Sequence, residues 1–84
     1  MSTATGVKKI LIGNLPEAAH TTAIADLFSQ FGDVLSVSVL NHGFAFVEMT
    51  ADDAERALNE LKGYRWSGKP MIIDEAHPSK GSKY

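Results

Sequence analysis

The chain has 84 residues, no cysteine and a formal net charge of −2, from eight Lys and Arg against ten Asp and Glu. A chain of this length forms one domain and buries only about 60% of the surface that its unfolded form exposes. Without cysteine there is no disulfide framework or thiolate metal site, and three scattered histidines offer no zinc ligand set. The sequence shows neither an apolar run near the roughly 20 residues of a membrane helix nor a signal-peptide pattern, which predicts a soluble, intracellular domain. The negative balance also indicates that general electrostatic attraction does not drive any nucleic-acid binding.

The two ends of the chain differ from its middle. They are small, polar and aperiodic, which predicts flexible tails over residues 1–6 and 78–84 around an ordered domain at 7–77.

The first half of this domain predicts a strand and a helix. The run "VKKILIGNL" is rich in β-branched residues and leucine and stops at Asn14 and Pro16, as a short buried strand does. The next segment, "TTAIADLFSQFG", has Thr21 as the predicted N-cap and Gly32 as the stop. Its apolar side chains recur at i, i+3, i+4 and i+7, the spacing of one helical face: Ile24, Leu27, Phe28 and Phe31.

The second half predicts a hairpin, a helix and a last strand. "DVLSVSVLN" alternates with period two, and only residues 40–42 separate it from "GFAFVEM", so the two strands form a tight hairpin. In "TADDAERALNELKG", Thr50 and Asp53 predict a capping box and Gly63 ends the helix. "PMIIDEA" reads as a strand with Pro70 at its start. The apolar stripe of the second helix is Ala54, Ala57, Leu58 and Leu61.

The order βαββαβ predicts an α+β sandwich of the ferredoxin-like kind, with two helices on one face of a four-stranded antiparallel sheet. Each helix has one apolar stripe, so the other face of the sheet stays open, and function is expected to come from that face.

The octapeptide "HGFAFVEM" at 42–49 raises the question of which side chains occupy that face. Successive side chains of a strand point to opposite faces, so Phe44 and Phe46 share one face and Ala45 and Val47 the other. Alternation alone leaves both assignments open. In the first strand, isoleucines at 10 and 12 alternate with Leu11 and Gly13, and turning the isoleucines inward favours outward phenylalanines.

"HGFAFVEM" resembles the octapeptide of RNA recognition motifs, meeting six of its eight positions, and "ILIGNL" at 10–15 resembles their hexapeptide. The resemblance extends over about 8–78, with the same element order. The very short 40–42 link is similar to the short-loop motifs of splicing-factor and SR-type proteins.

The resemblance implies that Phe44 and Phe46 stack bases, that His42 contacts a phosphate and that Asn14 matches the hexapeptide asparagine. Leu11 stands where the hexapeptide usually carries a third aromatic ring, and it offers only apolar contact. A neutral histidine in place of a basic residue weakens the phosphate contact. Strand alternation adds further open-face candidates: Ser36 or Ser38, Leu40, Ile72 and Asp74.

Lysines near the sheet edge are candidates for phosphate contact, although a solvated surface charge is the commoner role of such a residue. They are Lys8 and Lys9 in the first strand, Lys69 before the last strand, and Lys80 and Lys83 in the tail.

The predicted function is weak, modestly specific binding of single-stranded RNA, or single-stranded DNA, by a monomeric module of a larger RNA-processing protein. The resemblance suggests mRNA splicing and a nuclear location, with the cytoplasm as the alternative. No catalytic constellation and no cofactor or metal site is expected. The alternative is a protein-binding RNA recognition motif that holds a partner peptide through its helices or the Trp66 loop, although Tyr64 stands where that subclass has arginine.

Overall fold

The computed structural model describes residues 6–76, so nearly all of both predicted tails, with His77, lies outside the described part. Strands β1 (Val7–Gly13), β2 (Val34–Val39), β3 (Ala45–Thr50) and β6 (Ile72–Ala76) form an antiparallel sheet in the order β2-β3-β1-β6. Helices α1 (Thr21–Phe28) and α2 (Ala51–Glu60) separate them, and a single 3₁₀ turn (Ser29–Phe31) follows α1. The predicted ferredoxin-like βαββαβ sandwich is confirmed.

The core lies between the helices and one face of the sheet. The inward side chains of β1 and β3 are fully buried, and α1 contributes Ile24 and Phe28 to the same cluster. Ala54 and Ala57 of α2, with Leu61 at its C-cap, belong to the same cluster. These small alanines allow α2 to contact both β1 and β3. The inward strand residues are Ile10, Ile12, Ala45, Val47 and Met49.

The predicted capping of both helices needs correction. Helix α1 begins at Thr21, so its N-cap is His20, which is exposed and makes no side-chain capping bond. Thr50 is the N-cap of α2 as predicted, but its hydroxyl donates to the Asp53 carboxylate at 3.1 Å rather than capping a backbone N–H. The carboxylate still lies in the first turn of α2, where a negative charge interacts favourably with the helix dipole and stabilises the helix.

The loops are also more elaborate than predicted. Five residues separate the end of β2 from the start of β3. The Leu40 N–H donates to the Phe44 carbonyl at 2.7 Å and closes this turn. The predicted last strand divides in two: Pro70 belongs to a short hairpin of β4 (Arg65–Trp66) and β5 (Lys69–Pro70), and β6 begins only at Ile72.

Candidate nucleic-acid interface

The two phenylalanines of the octapeptide stand on the face opposite the helices, as predicted. Val47 of β3, which points to the opposite face, is fully buried, whereas Phe44, just before β3, is 37% exposed and Phe46 is partly exposed. In β1, Leu11 is paired with Phe46 and shares its face, because it alternates with buried isoleucines. We call this face the open face. Its central residues are Leu11, Gly13, Phe44 and Phe46.

The Phe44 ring lies over β1, where a glycine leaves space for it. A Cβ built on Gly13 would lie 2.6 Å from Phe44 Cε1 and 2.8 Å from its Cδ1, well inside van der Waals contact. The ring therefore occupies the space that any other side chain at position 13 would take. The glycine of the hexapeptide thus makes room for a ring from the neighbouring segment.

The Phe46 ring has a cation beside it. The Lys9 Nζ lies 5.1 Å from the ring centroid, within the range of a cation–π contact. Lys9 precedes Leu11 by two residues and so lies on the same face, while Ser38 pairs with Phe46 from the β2 side. A predicted phosphate contact and a predicted stacking ring are therefore neighbours.

The far side of the open face is lined by β6. Its register pairs Ile72 with Gly13 and Asp74 with Leu11. Ile72 is 52% exposed and Asp74 is exposed, while the intervening Ile73 packs against the core. Both β6 residues predicted for this face are found on it.

The near side is lined by β2. Ser36 and Ser38 pair with Glu48 and Phe46 of β3, and a register irregularity lies between Val34 and Ser36. The Ser36 hydroxyl donates to Glu48 Oε1 at 2.7 Å. Leu40 continues from the end of β2 and is exposed. Sequence reasoning missed Glu48, although strand alternation from Phe46 already assigns it to the open face.

Two of the predicted binding residues have backbone roles in turns. Asn14 and His42 both have positive φ, 57° and 64°. The Asn14 amide donates to the Pro70 carbonyl at 2.8 Å, which ties the end of β1 to the short hairpin. His42 is exposed and precedes Gly43 (φ 79°), whose carbonyl accepts from the Leu15 N–H at 3.1 Å. These turns fix the position from which Phe44 reaches over Gly13.

Lys8, one of the candidates for phosphate contact, does not lie on the open face. It lies on the helix side, with Nζ 2.7 Å from the Glu55 carboxylate and 3.2 Å from that of Glu75. The hydrogen bond that Lys8 donates to the Glu55 carboxylate, and then the one that it donates to Glu75, raises the pKa of the Lys8 ammonium, and Lys8 in turn lowers the pKa of Glu55. Lys69 is exposed in β5, while Lys80 and Lys83 lie outside the described residues.

The residues of the alternative peptide site form an aromatic pair. The Tyr64 and Trp66 ring centroids lie 6.4 Å apart in an edge-to-face arrangement. Trp66 also packs against the core. The Arg65 guanidinium donates back to the Gly68 carbonyl at 3.1 Å, inside its own hairpin.

Within residues 6–76, no cluster of three His, Cys, Asp or Glu side chains is placed to hold a metal ion. In the same part of the chain, no helix combines the length and the apolar character needed to cross a membrane.

Comparison with known families agrees with this geometry. The sequence model of the RNA recognition motif matches residues 10–72. The chain belongs to the RNA recognition motif family.

Two curated relatives and one solved structure illustrate the similarity. The chain is 33% identical over 78 residues to "29 kDa ribonucleoprotein A, chloroplastic" of Nicotiana sylvestris, a match that covers 83% of this chain and 29% of the relative. It is 36% identical over 75 residues to "Multiple RNA-binding domain-containing protein 1" of Eremothecium gossypii, a match that covers 81% of this chain and 9% of the relative. The crystal structure of "RNA Binding Protein PG1" superposes with a TM-score of 0.78 at 34% identity, covering 82% of this chain and 93% of that one. The chain thus spans less than a third of the length of either curated relative.

Proposed function

We propose that the domain binds single-stranded RNA across the open face, with bases stacked on Phe44 and Phe46. The observation that carries this proposal is a pair of neighbouring phenylalanine rings on a sheet face that neither helix covers. Each base stacked on an aromatic ring contributes about 1–3 kcal/mol, largely irrespective of its identity. Leu11 adds apolar contact beside the rings, and a span of about two to four nucleotides fits this face.

The charges of the face point to weak binding. Of its central and flanking side chains, Lys9 carries a positive charge, and Glu48 and Asp74 each carry a negative one. Counterion release by basic side chains normally supplies much of the affinity for nucleic acid, and here it is small. We expect a Kd of about micromolar or weaker, near 8 kcal/mol of binding free energy.

Such a module gains useful affinity when it is linked to further domains, since linkage turns a second binding event into an intramolecular one. The domain therefore has a binding role, without catalysis, within a longer RNA-processing protein. This role is supported by the names of the relatives, which are ribonucleoproteins or RNA-binding proteins, and by the small share of their length that this chain spans. A role in splicing and a nuclear location remain predictions, since several of the relatives are named chloroplastic.

The test is an amide NMR titration of the whole chain with a pool of short single-stranded RNA of random sequence. We expect shifts centred on Leu11, Phe44, Phe46 and Ile72. The same titration is repeated on a Phe44→Leu/Phe46→Leu variant, which keeps apolar bulk on the face but removes both rings. A matching DNA pool measures the contribution of the ribose 2′-hydroxyl.

Loss of the shifts in a variant that keeps a folded amide spectrum is the expected result. RNA shifts of equal size in the variant would contradict base stacking as the cause of binding. An absence of shifts with the native chain at millimolar RNA would refute the proposal, and Tyr64 and Trp66 would then be the next surface to test with protein partners.

A further inference from the structure

The polar side chains beside the stacking rings are biased toward hydrogen-bond acceptors. An ionised carboxylate only accepts hydrogen bonds, and the open face carries two of them, on opposite sides of its aromatic centre. Glu48 lies on the β2 side, where it already accepts from the Ser36 hydroxyl. Asp74 lies on the β6 side, beside the apolar pair of Leu11 and Ile72.

Asp74 is positioned to meet the edge of a base. Leu11 pairs with Phe46 on one side and with Asp74 on the other, so the three side chains form a row across three strands. Neighbouring strands lie about 4.8 Å apart, so the row spans roughly 10 Å. A purine that stacks over Phe46 and Leu11 therefore directs one edge toward Asp74.

The carboxylate is also oriented. Its Oδ1 accepts the backbone N–H of Glu75 at 2.8 Å. This contact uses one of about four lone-pair directions of the carboxylate, and the side chain is otherwise exposed on the open face.

The bases differ in what they offer to such an acceptor. The Watson–Crick edge of guanine presents two adjacent donors, N1–H and the N2 amino group, which match the two oxygens of a carboxylate. Uracil presents one N–H between two carbonyl oxygens, and those oxygens repel a carboxylate. Adenine and cytosine each present one amino donor beside an acceptor nitrogen.

We propose that Asp74 makes the domain prefer guanine over uracil at the base that stacks above Leu11. The inference rests on the proposed stacking function and adds a base preference to it. A well-formed bidentate pair discriminates against the wrong base by an amount that corresponds to about tenfold or more in Kd.

The test is a fluorescence-anisotropy titration of the whole chain with a short labelled oligouridine and with the same oligomer carrying one central guanine, inosine or adenine. Inosine keeps N1–H but lacks the N2 amino group. We expect guanine to bind about tenfold tighter than uracil and inosine to lie between them. Asp74→Asn should abolish the preference by weakening the binding of the guanine oligomer and strengthening that of oligouridine, because an amide presents a donor in place of one acceptor oxygen and carries no negative charge.

Asp74 is exposed and an asparagine oxygen can still accept the Glu75 N–H, so Asp74→Asn is expected to fold. Glu75→Gln is the matched control: it removes the same charge from the adjacent residue of β6, whose side chain pairs with Lys8 on the helix side. It should keep the guanine preference.

Each other outcome is decisive. Equal affinity of the native chain for guanine and uracil oligomers overturns the inference and leaves the stacking proposal standing. A guanine preference that survives Asp74→Asn also overturns it. Absence of binding to every oligomer refutes the stacking proposal, and this inference falls with it.

Discussion

The Gly13→Ala substitution tests how the stacking surface is built. A Cβ at this position would approach two Phe44 ring carbons to 2.6 and 2.8 Å, whereas ordinary carbon contacts begin near 3.4 Å. Gly13 belongs to the regular strand and has no positive φ, so alanine fits its backbone. The conflict falls on the Phe44 ring alone, and we expect the ring to swing away from β1.

The magnitude follows from this displacement. If the displaced ring no longer supports a base, RNA binding loses about 1–3 kcal/mol, which is roughly 5- to 150-fold in Kd. The folded state should not be destabilised, because a Gly→Ala replacement in a compatible backbone raises the free energy of unfolding by about 0.4–1 kcal/mol through the unfolded state. The variant therefore separates binding from folding.

The assay is a double-mutant cycle that combines anisotropy titration with thermal unfolding of native, Gly13→Ala, Phe44→Ala and doubly substituted chains. If Gly13 acts only by placing the Phe44 ring, Gly13→Ala should have no further effect on the Kd once the ring is removed. An equal loss of affinity in both backgrounds would refute the reasoning. So would an unchanged Kd in a folded Gly13→Ala variant.

Two further predictions concern the adjacent lysines of β1. Lys9→Gln should lower the slope of log Kd against log salt by about 0.7, which is the value for one phosphate contact on a single strand. The control Lys62→Gln, on the exposed turn after α2, should leave the slope unchanged. An unchanged slope in Lys9→Gln would show that Lys9 makes no phosphate contact. The Glu55 carboxyl should titrate below its usual 4.5 in an NMR pH series and return to it in Lys8→Ala. Because the folded pKa of Glu55 is lowered, the contribution of the pair to stability is present above the usual value and is lost as the pH falls through the lowered one. A Glu55 titration identical in both chains would contradict the pairing.

The sequence was sufficient to predict the sheet and its two faces because period-two alternation assigns each strand residue to a side. That rule puts Phe44 and Phe46 on one face, and turning Ile10 and Ile12 of the first strand inward then favours outward phenylalanines. The same rule assigns Lys8 to the helix side and Lys9 to the open face, since Lys8 has the parity of Ile10. Lys8 is grouped with Lys9 as a candidate because both lie at the start of the strand, although alternation already places their side chains on opposite faces.

Other features could not be read from local patterns, because they depend on contacts between distant segments. The Asn14 bond to the Pro70 carbonyl joins residues 56 positions apart. The contact of Phe44 with Gly13 requires the course of the 40–44 turn, which a three-residue link did not suggest. The short β4–β5 hairpin has two residues per strand, too few for any alternation to be visible.

The distribution of charge determines what this open face can recognise. Of the two lysines at the start of β1, Lys8 neutralises carboxylates on the helix side and Lys9 lies against the Phe46 ring. Glu48 and Asp74 then leave the face with more negative than positive charge. Phosphates are therefore attracted weakly, and the free energy of binding must come from the bases, through stacking and through their edges. Such a face has little affinity that is independent of the RNA sequence. The acceptor at Asp74 therefore makes the identity of one base responsible for a larger share of the binding free energy.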